Sequence, residues 1–187
     1  DLVTIAWLGY DSPTFDVVVD DEARTGGAHL ARFVEGLVPG GVPAAATLTV
    51  VGHSYGTVVT GEALRAGLDA DAVAVTGSPG MGAGSASELG DVPVYALRAP
   101  GDYVAWTERF GTDPTDSDFG ATRLETGSVV GHSGYFDPGT ESLTNLARVA
   151  TGRAAEATVE GRSWFDRYVT MVDDAQAVVF DVPIDVG

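Results

Sequence analysis

Apolar residues fall into two patterns along this chain. Short, nearly continuous apolar runs occupy Val3 to Leu8, Leu48 to Val51, Ala72 to Thr76 and Val94 to Ala99, and they stop at Gly9, Gly52, Gly77 and Pro100-Gly101. Runs of that length, bounded by turn residues, predict buried strands. A weaker run at Arg123 to Thr126 predicts a last strand. Between these runs the apolar positions follow helical spacing. Ala23, Leu30, Phe33, Val34 and Leu37 do so over 22–38, ahead of Pro39-Gly40-Gly41, while Thr57 to Ala66 ends at Gly67 and Ser142 to Val149 follows the last strand. Each of these stretches predicts a helix. Strands apolar on both faces and alternating with helices need cover on both sides, which predicts a three-layer α/β domain over 1–152 with a mostly parallel central sheet. Residues 153–187 are less regular. Trp164, Phe165 and Tyr168 suggest a short helix and Val178 to Phe180 an edge strand, in a C-terminal extension expected to pack on the same domain.

Composition narrows the partners. At 187 residues, with 44% hydrophobic and 20% charged residues, the chain is long enough for one real core and shows no bias toward disorder. No apolar run approaches the roughly 20 residues of a membrane-spanning helix. The formal net charge of −17 opposes binding to phosphate backbones, so nucleic acid is not an expected partner. Cysteine is absent, which removes disulfides, a thiol nucleophile and thiolate metal sites and leaves the compartment open between cytoplasmic and secreted. There is no H-E-x-x-H spacing or histidine cluster to hold a metal, and the Gly-rich stretch Gly77 to Gly84 lacks the lysine of a phosphate-binding loop. The chemistry expected here needs no cofactor and no metal.

The remaining candidate is nucleophilic catalysis. Gly52-His53-Ser54-Tyr55-Gly56 has the form G-x-S-x-G, and it stands between a predicted strand and a predicted helix. That is the setting of a nucleophile elbow, in which a strained turn exposes a serine and the flanking glycines give it room. The following helix starts at the site, so the Tyr55 backbone N–H is a candidate oxyanion donor. A serine hydroxyl needs an imidazole to take its proton and a carboxylate to hold that imidazole. After an elbow these follow in the order acid, then histidine. Of the three histidines, His29 precedes the elbow on the first helix, and His53 is expected to point away from it, which leaves His132. Asp102, directly after the strand Val94 to Ala99, is the candidate acid. Asp113, Asp116 and Asp118 are expected on a solvated loop, with any of them an alternative to Asp102. Val129-Val130-Gly131-His132-Ser133 echoes the elbow and makes Ser133 a rival, but Gly134-Tyr135 and Pro138 then prevent a helix.

Several stretches together carry a resemblance. They are Trp7-Leu8-Gly9-Tyr10-Asp11-Ser12-Pro13, the elbow, Gly77-Ser78-Pro79-Gly80, Arg98-Ala99-Pro100-Gly101-Asp102 and Gly131-His132-Ser133-Gly134-Tyr135-Phe136. In this order they resemble the actinobacterial α/β-hydrolase family long catalogued as a domain of unknown function, and more distantly cutinase-like serine esterases. The resemblance implies an α/β-hydrolase fold, the same Ser54, Asp102 and His132 triad, and no particular substrate. It also implies N-terminal strands that are missing here, because the second oxyanion donor of that fold arises one βα unit before Val3 to Leu8. A residue of the Gly9 to Ser12 loop, an upstream segment or a partner chain is expected to complete the hole and the sheet. The expected activity is hydrolysis of a small-molecule carboxylic ester through an acyl-enzyme. A thioesterase, peptidase or acyltransferase on the same triad, or an inactive binding module, are the alternatives.

Overall fold

The computed structural model describes residues 2–10 and 19–161. The predicted helix around Trp164 and strand at Val178 to Phe180 lie outside the described residues, as do Asp11 and Ser12. The ordered elements are α1 (Val19–Glu35), β1 (Thr49–His53), α2 (Gly56–Arg65), β2 (Ala72–Thr76), β3 (Val94–Leu97), β4 (Thr122–Arg123) and α3 (Glu141–Ala150), with short 3-10 turns between them. The strands form one parallel sheet in the order β1-β2-β3-β4.

The alternation within β2 explains the layering. Val73 and Val75 join a cluster with Leu30 of α1 and Ala63 and Leu64 of α2, whereas Ala72 and Ala74 join Leu146 and Val149 of α3 on the other face. Successive side chains of a strand point to opposite faces, so a wholly buried strand must be apolar on both, and β2 is. The small face of β2, built from alanines, lets α3 lie close. α2 is set with similar economy: a Cβ added at Gly61 would meet the Met81 carbonyl oxygen at 1.9 Å. The register pairs His53 with Thr76 and Thr76 with Leu97, which aligns the carboxyl ends of the three long strands. Functional loops gather at that end of parallel sheets.

Two expectations are corrected here. Residues 2–9 form no strand, and Val3 and Leu8 are 80% and 91% exposed. An apolar run becomes a strand only if a neighbour completes its hydrogen bonds, and within the described residues β1 pairs with β2 alone. The run is held instead by Trp7 and Tyr10, which pack beside Ala23, Val58 and Val59. The last strand is shorter than expected and is extended by an antiparallel bridge from Leu124 to Val159. The start of the C-terminal extension thus lies against the sheet edge, with Thr158 N–H donating to Asn145 Oδ1 at 2.9 Å.

Candidate active site

The site is built at the aligned strand ends. Directly after β1, Ser54 takes a φ of 53°, one of two non-glycine residues in the left-handed region among those described. Such a conformation costs about 1–2 kcal/mol for a residue with a Cβ, and it persists where the surroundings enforce it. Here Ser54 N–H donates to Thr76 O at 3.0 Å and Ser54 O accepts from Thr57 N–H at 3.0 Å, so β2 and the first turn of α2 hold the bend. Gly52 is required by space, since a Cβ there would lie 2.9 Å from Thr60 Oγ1 and 3.2 Å from the Thr57 Cα. Gly56 is less constrained than expected: a Cβ would touch only the Tyr10 hydroxyl, at 3.5 Å.

Ser54 and His132 are 78 positions apart in sequence, yet His132 Nε2 lies 2.8 Å from Ser54 Oγ. On its other side His132 Nδ1 stands 2.9 and 3.0 Å from the two Asp102 carboxylate oxygens. The loops that carry acid and histidine are tied by Gly131 N–H donating to Pro100 O at 2.8 Å. Asp102 is fully buried. Burial by itself pushes its carboxyl up, but hydrogen bonds from Tyr135 and His132 outweigh this and hold it below the ordinary value. The arrangement can therefore pass a proton from Ser54 Oγ to an imidazole whose far nitrogen rests on a buried carboxylate. Tyr55 follows as the N-cap of α2, which sets its backbone N–H at the positive end of a ten-residue helix.

The other candidates occupy different places. Asp113 is a correction to the solvated-loop expectation: it is buried, paired with Arg98, and accepts from the Thr115 N–H and hydroxyl at 2.8 Å each. Its partners lie far off in sequence, so spacing could not reveal them. Asp116 is half-buried and Asp118 exposed, and neither is bonded to His132. Ser133 is exposed and leads into a 3-10 turn. His29 sits on α1 with Nδ1 3.4 Å from Gly9 O.

His53 departs from expectation. Its ring centroid is 4.8 Å from that of His132, with Tyr135 and Phe136 at 5.8 Å each. Alternation of side chains holds only along extended backbone, and the left-handed turn at Ser54 breaks it. Burial first, then the neighbouring His132, depresses the affinity of His53 for a proton. The folded state thus favours neutral His53, so this contribution is fully present above its unfolded value of about 6.5 and is lost as pH falls through the lower folded value. We expect thermal melts between about pH 7 and about pH 5 to show a smaller loss of Tm in His53→Phe than in the parent. An equal loss in both would show that His53 does not contribute to the pH dependence of stability.

Two residues of the site escaped sequence reasoning. Gly77, with φ 56°, lies so close that an added Cβ would meet Asp102 Oδ2 at 2.7 Å and His132 Nδ1 at 3.0 Å. In the sequence it stands out only as the turn after a strand and as part of the Gly77-Ser78-Pro79-Gly80 stretch, and neither places it against the acid and the histidine. Gly77→Ala should displace the acid and histidine, and a misplacement of that kind lowers turnover by about a hundredfold. The check is kcat beside Tm, since a loss of stability without loss of turnover in the folded fraction would contradict it. The second is Tyr135, fully buried, whose hydroxyl donates to Asp102 Oδ2 at 2.6 Å and accepts from Ala99 N–H at 2.8 Å.

A concavity of about 790 Å³ lies elsewhere. Arg32, Leu37, Val42, Leu48 and Asp71 line it near the start of β1, at the opposite end of the strand from Ser54, and it has no histidine. No helix of the described residues is long and apolar enough to cross a membrane.

Comparison with known proteins agrees with the architecture. A sequence model described as alpha/beta hydrolase matches residues 1–112, a span that includes Ser54 and Asp102 and stops before His132. An uncharacterized protein of Mycobacterium tuberculosis is 40% identical over 123 residues, covering 62% of this chain and 46% of that relative, and one from Mycobacterium bovis is similar to the same extent. A second Mycobacterium tuberculosis protein, also uncharacterized, is 29% identical over 195 residues, covering 84% of this chain and 30% of its own length. The chain therefore spans less than half the length of these relatives. No solved structure matches.

Proposed function

Because the chain belongs to the α/β-hydrolase family, we propose that it is a serine hydrolase acting on carboxylic esters, with Ser54 as nucleophile, His132 as general base and Asp102 as the acid that holds it. The observation that carries this reading is the continuous line of hydrogen bonds from Ser54 Oγ to His132 Nε2 at 2.8 Å and from Nδ1 to Asp102 at 2.9 Å.

The reaction follows from those contacts. As Ser54 Oγ attacks the ester carbonyl carbon, its proton passes to His132 Nε2, and the resulting imidazolium is balanced by the Asp102 carboxylate. The carbonyl oxygen becomes an oxyanion beside the Tyr55 N–H and the start of α2. Collapse breaks the ester C–O bond, and the departing alcohol takes the proton from Nε2. Water then attacks the acyl-enzyme and gives its proton to Nε2. The carboxylic acid leaves as Ser54 Oγ recovers a proton from His132. Asp102 keeps its charge throughout.

The test is to mix the folded protein with an activated aryl ester, quench in acid and measure intact and peptide masses. One acyl group on the peptide that contains Ser54, with alcohol released in a burst, is the expected result. No adduct and no hydrolysis above the buffer rate would overturn the reading. Parallel assays with an aryl thioester and an anilide of the same acyl group rank the bond types.

A further inference from the structure

We infer that Tyr135 is a positioning residue for the reaction, a fourth group that orients Asp102 and keeps it ionised while His132 carries the proton of Ser54. This rests on the serine-hydrolase reading above.

The geometry fixes the direction of each bond. Ala99 N–H can only donate, so the Tyr135 oxygen accepts from it at 2.8 Å. The single phenolic proton is then left for Asp102 Oδ2 at 2.6 Å. An ionised carboxylate accepts only, and a short bond from a hydroxyl to it is of the strong, charge-assisted kind. Val104 N–H adds a donor to Oδ1 at 3.1 Å. His132 and Tyr135 are three residues apart on one tight turn, so a single segment grips the carboxylate from two sides. Ala99 lies between β3 and Asp102 on the other loop, and Tyr135 therefore locks the distance between strand, acid and histidine.

The surroundings favour this role. Burial drives the Tyr135 phenol well above the ordinary tyrosine range, so the donor keeps its proton wherever the chemistry runs. The titratable and charged groups facing this cluster are His132 and Tyr135 on the turn, His53 at the end of β1, and Asp113, which is paired with Arg98 beyond β3. A buried carboxylate with only backbone and imidazole donors would bind a proton more readily.

The experiment compares the parent with Tyr135→Phe, which keeps the buried ring and removes the hydroxyl. In the variant kcat should fall about tenfold to a hundredfold with KM nearly unchanged. A carboxylate that has lost this donor holds a proton at His132 more strongly, so the acidic limb of the kcat/KM profile should move up by about one pH unit. Carboxyl-carbon NMR should show Asp102 titrating at higher pH in the variant. A lower Tm with an unmoved limb and an unmoved Asp102 titration would overturn the proposal and leave Tyr135 a packing residue. If Tyr135→Phe does not fold, 3,5-difluorotyrosine placed at this position gives a stronger donor of nearly the same shape, and the limb and the Asp102 titration should move to lower pH. No movement there would equally overturn it. If the parent itself hydrolyses no ester, the functional reading fails, while the NMR titration still decides the role of Tyr135.

Discussion

Ser54→Ala should lower ester turnover by about four to six orders of magnitude, because the nucleophile and the proton it gives to His132 disappear together. What remains would be the background that oxyanion donors and binding supply without a nucleophile. The fold should not suffer. Alanine bears the same Cβ as serine in the left-handed turn, and the bonds from Ser54 N–H to Thr76 and from Thr57 to Ser54 O are made by the backbone. Ser54→Gly sharpens the test. It should lose the same activity yet gain up to about 1 kcal/mol of stability, since glycine accepts a positive φ without the penalty a Cβ brings. Turnover assays beside thermal melts check both. A Ser54→Ala variant that keeps a tenth of the parent rate would show that the nucleophile lies elsewhere.

The next largest effect is expected at the acid. Asp102→Asn keeps the size of a fully buried side chain but exchanges an acceptor for an amide, whose NH₂ faces His132 Nδ1 or the Tyr135 hydroxyl. Because the Tyr135 hydroxyl donates and so holds the amide oxygen, the NH₂ is left toward Nδ1 and the imidazole is pushed toward the tautomer that cannot accept from Ser54; replacing the acid of such a triad in this way lowers kcat by about ten-thousandfold. The loss should lie in kcat, with KM changed little, because Asp102 touches no substrate. A steady-state comparison at several pH values checks it. A loss confined to KM would assign Asp102 to binding, and no loss would remove it from the reaction.

Much of this was legible in the chain because the signals are local. β2 runs over Ala72–Thr76, where the apolar run stops at Gly77, and Gly52 to Gly56 makes the turn between β1 and α2, where an apolar run gives way to helical spacing. The order of acid and histidine along the chain singled out residues that the structure brings to the aligned strand ends. What failed was set by distant partners. The run Val3 to Leu8 looks like a strand by composition, but strand formation depends on a neighbour, and its own residues do not encode one. The burial of Asp113 depends on Arg98 arriving from β3, and the tightness at Gly77 depends on two loops converging over it. Tyr135 stands in the sequence only as part of the Gly131 to Phe136 stretch; nothing in its spacing says that its hydroxyl reaches back to Ala99 and Asp102. Strand alternation points His53 away from the site, but the left-handed turn at Ser54 ends that alternation and brings its ring beside His132.

If Ser54 is an activated nucleophile, it reacts covalently with a serine-directed electrophile. The folded protein is treated with a serine-reactive fluorophosphonate, digested, and the modified peptide sequenced by mass spectrometry. The expected result is stoichiometric modification of Ser54, lost in Ser54→Ala and in an unfolded sample and strongly slowed in His132→Ala. Modification at Ser133, or none on a protein that melts cooperatively, would contradict it.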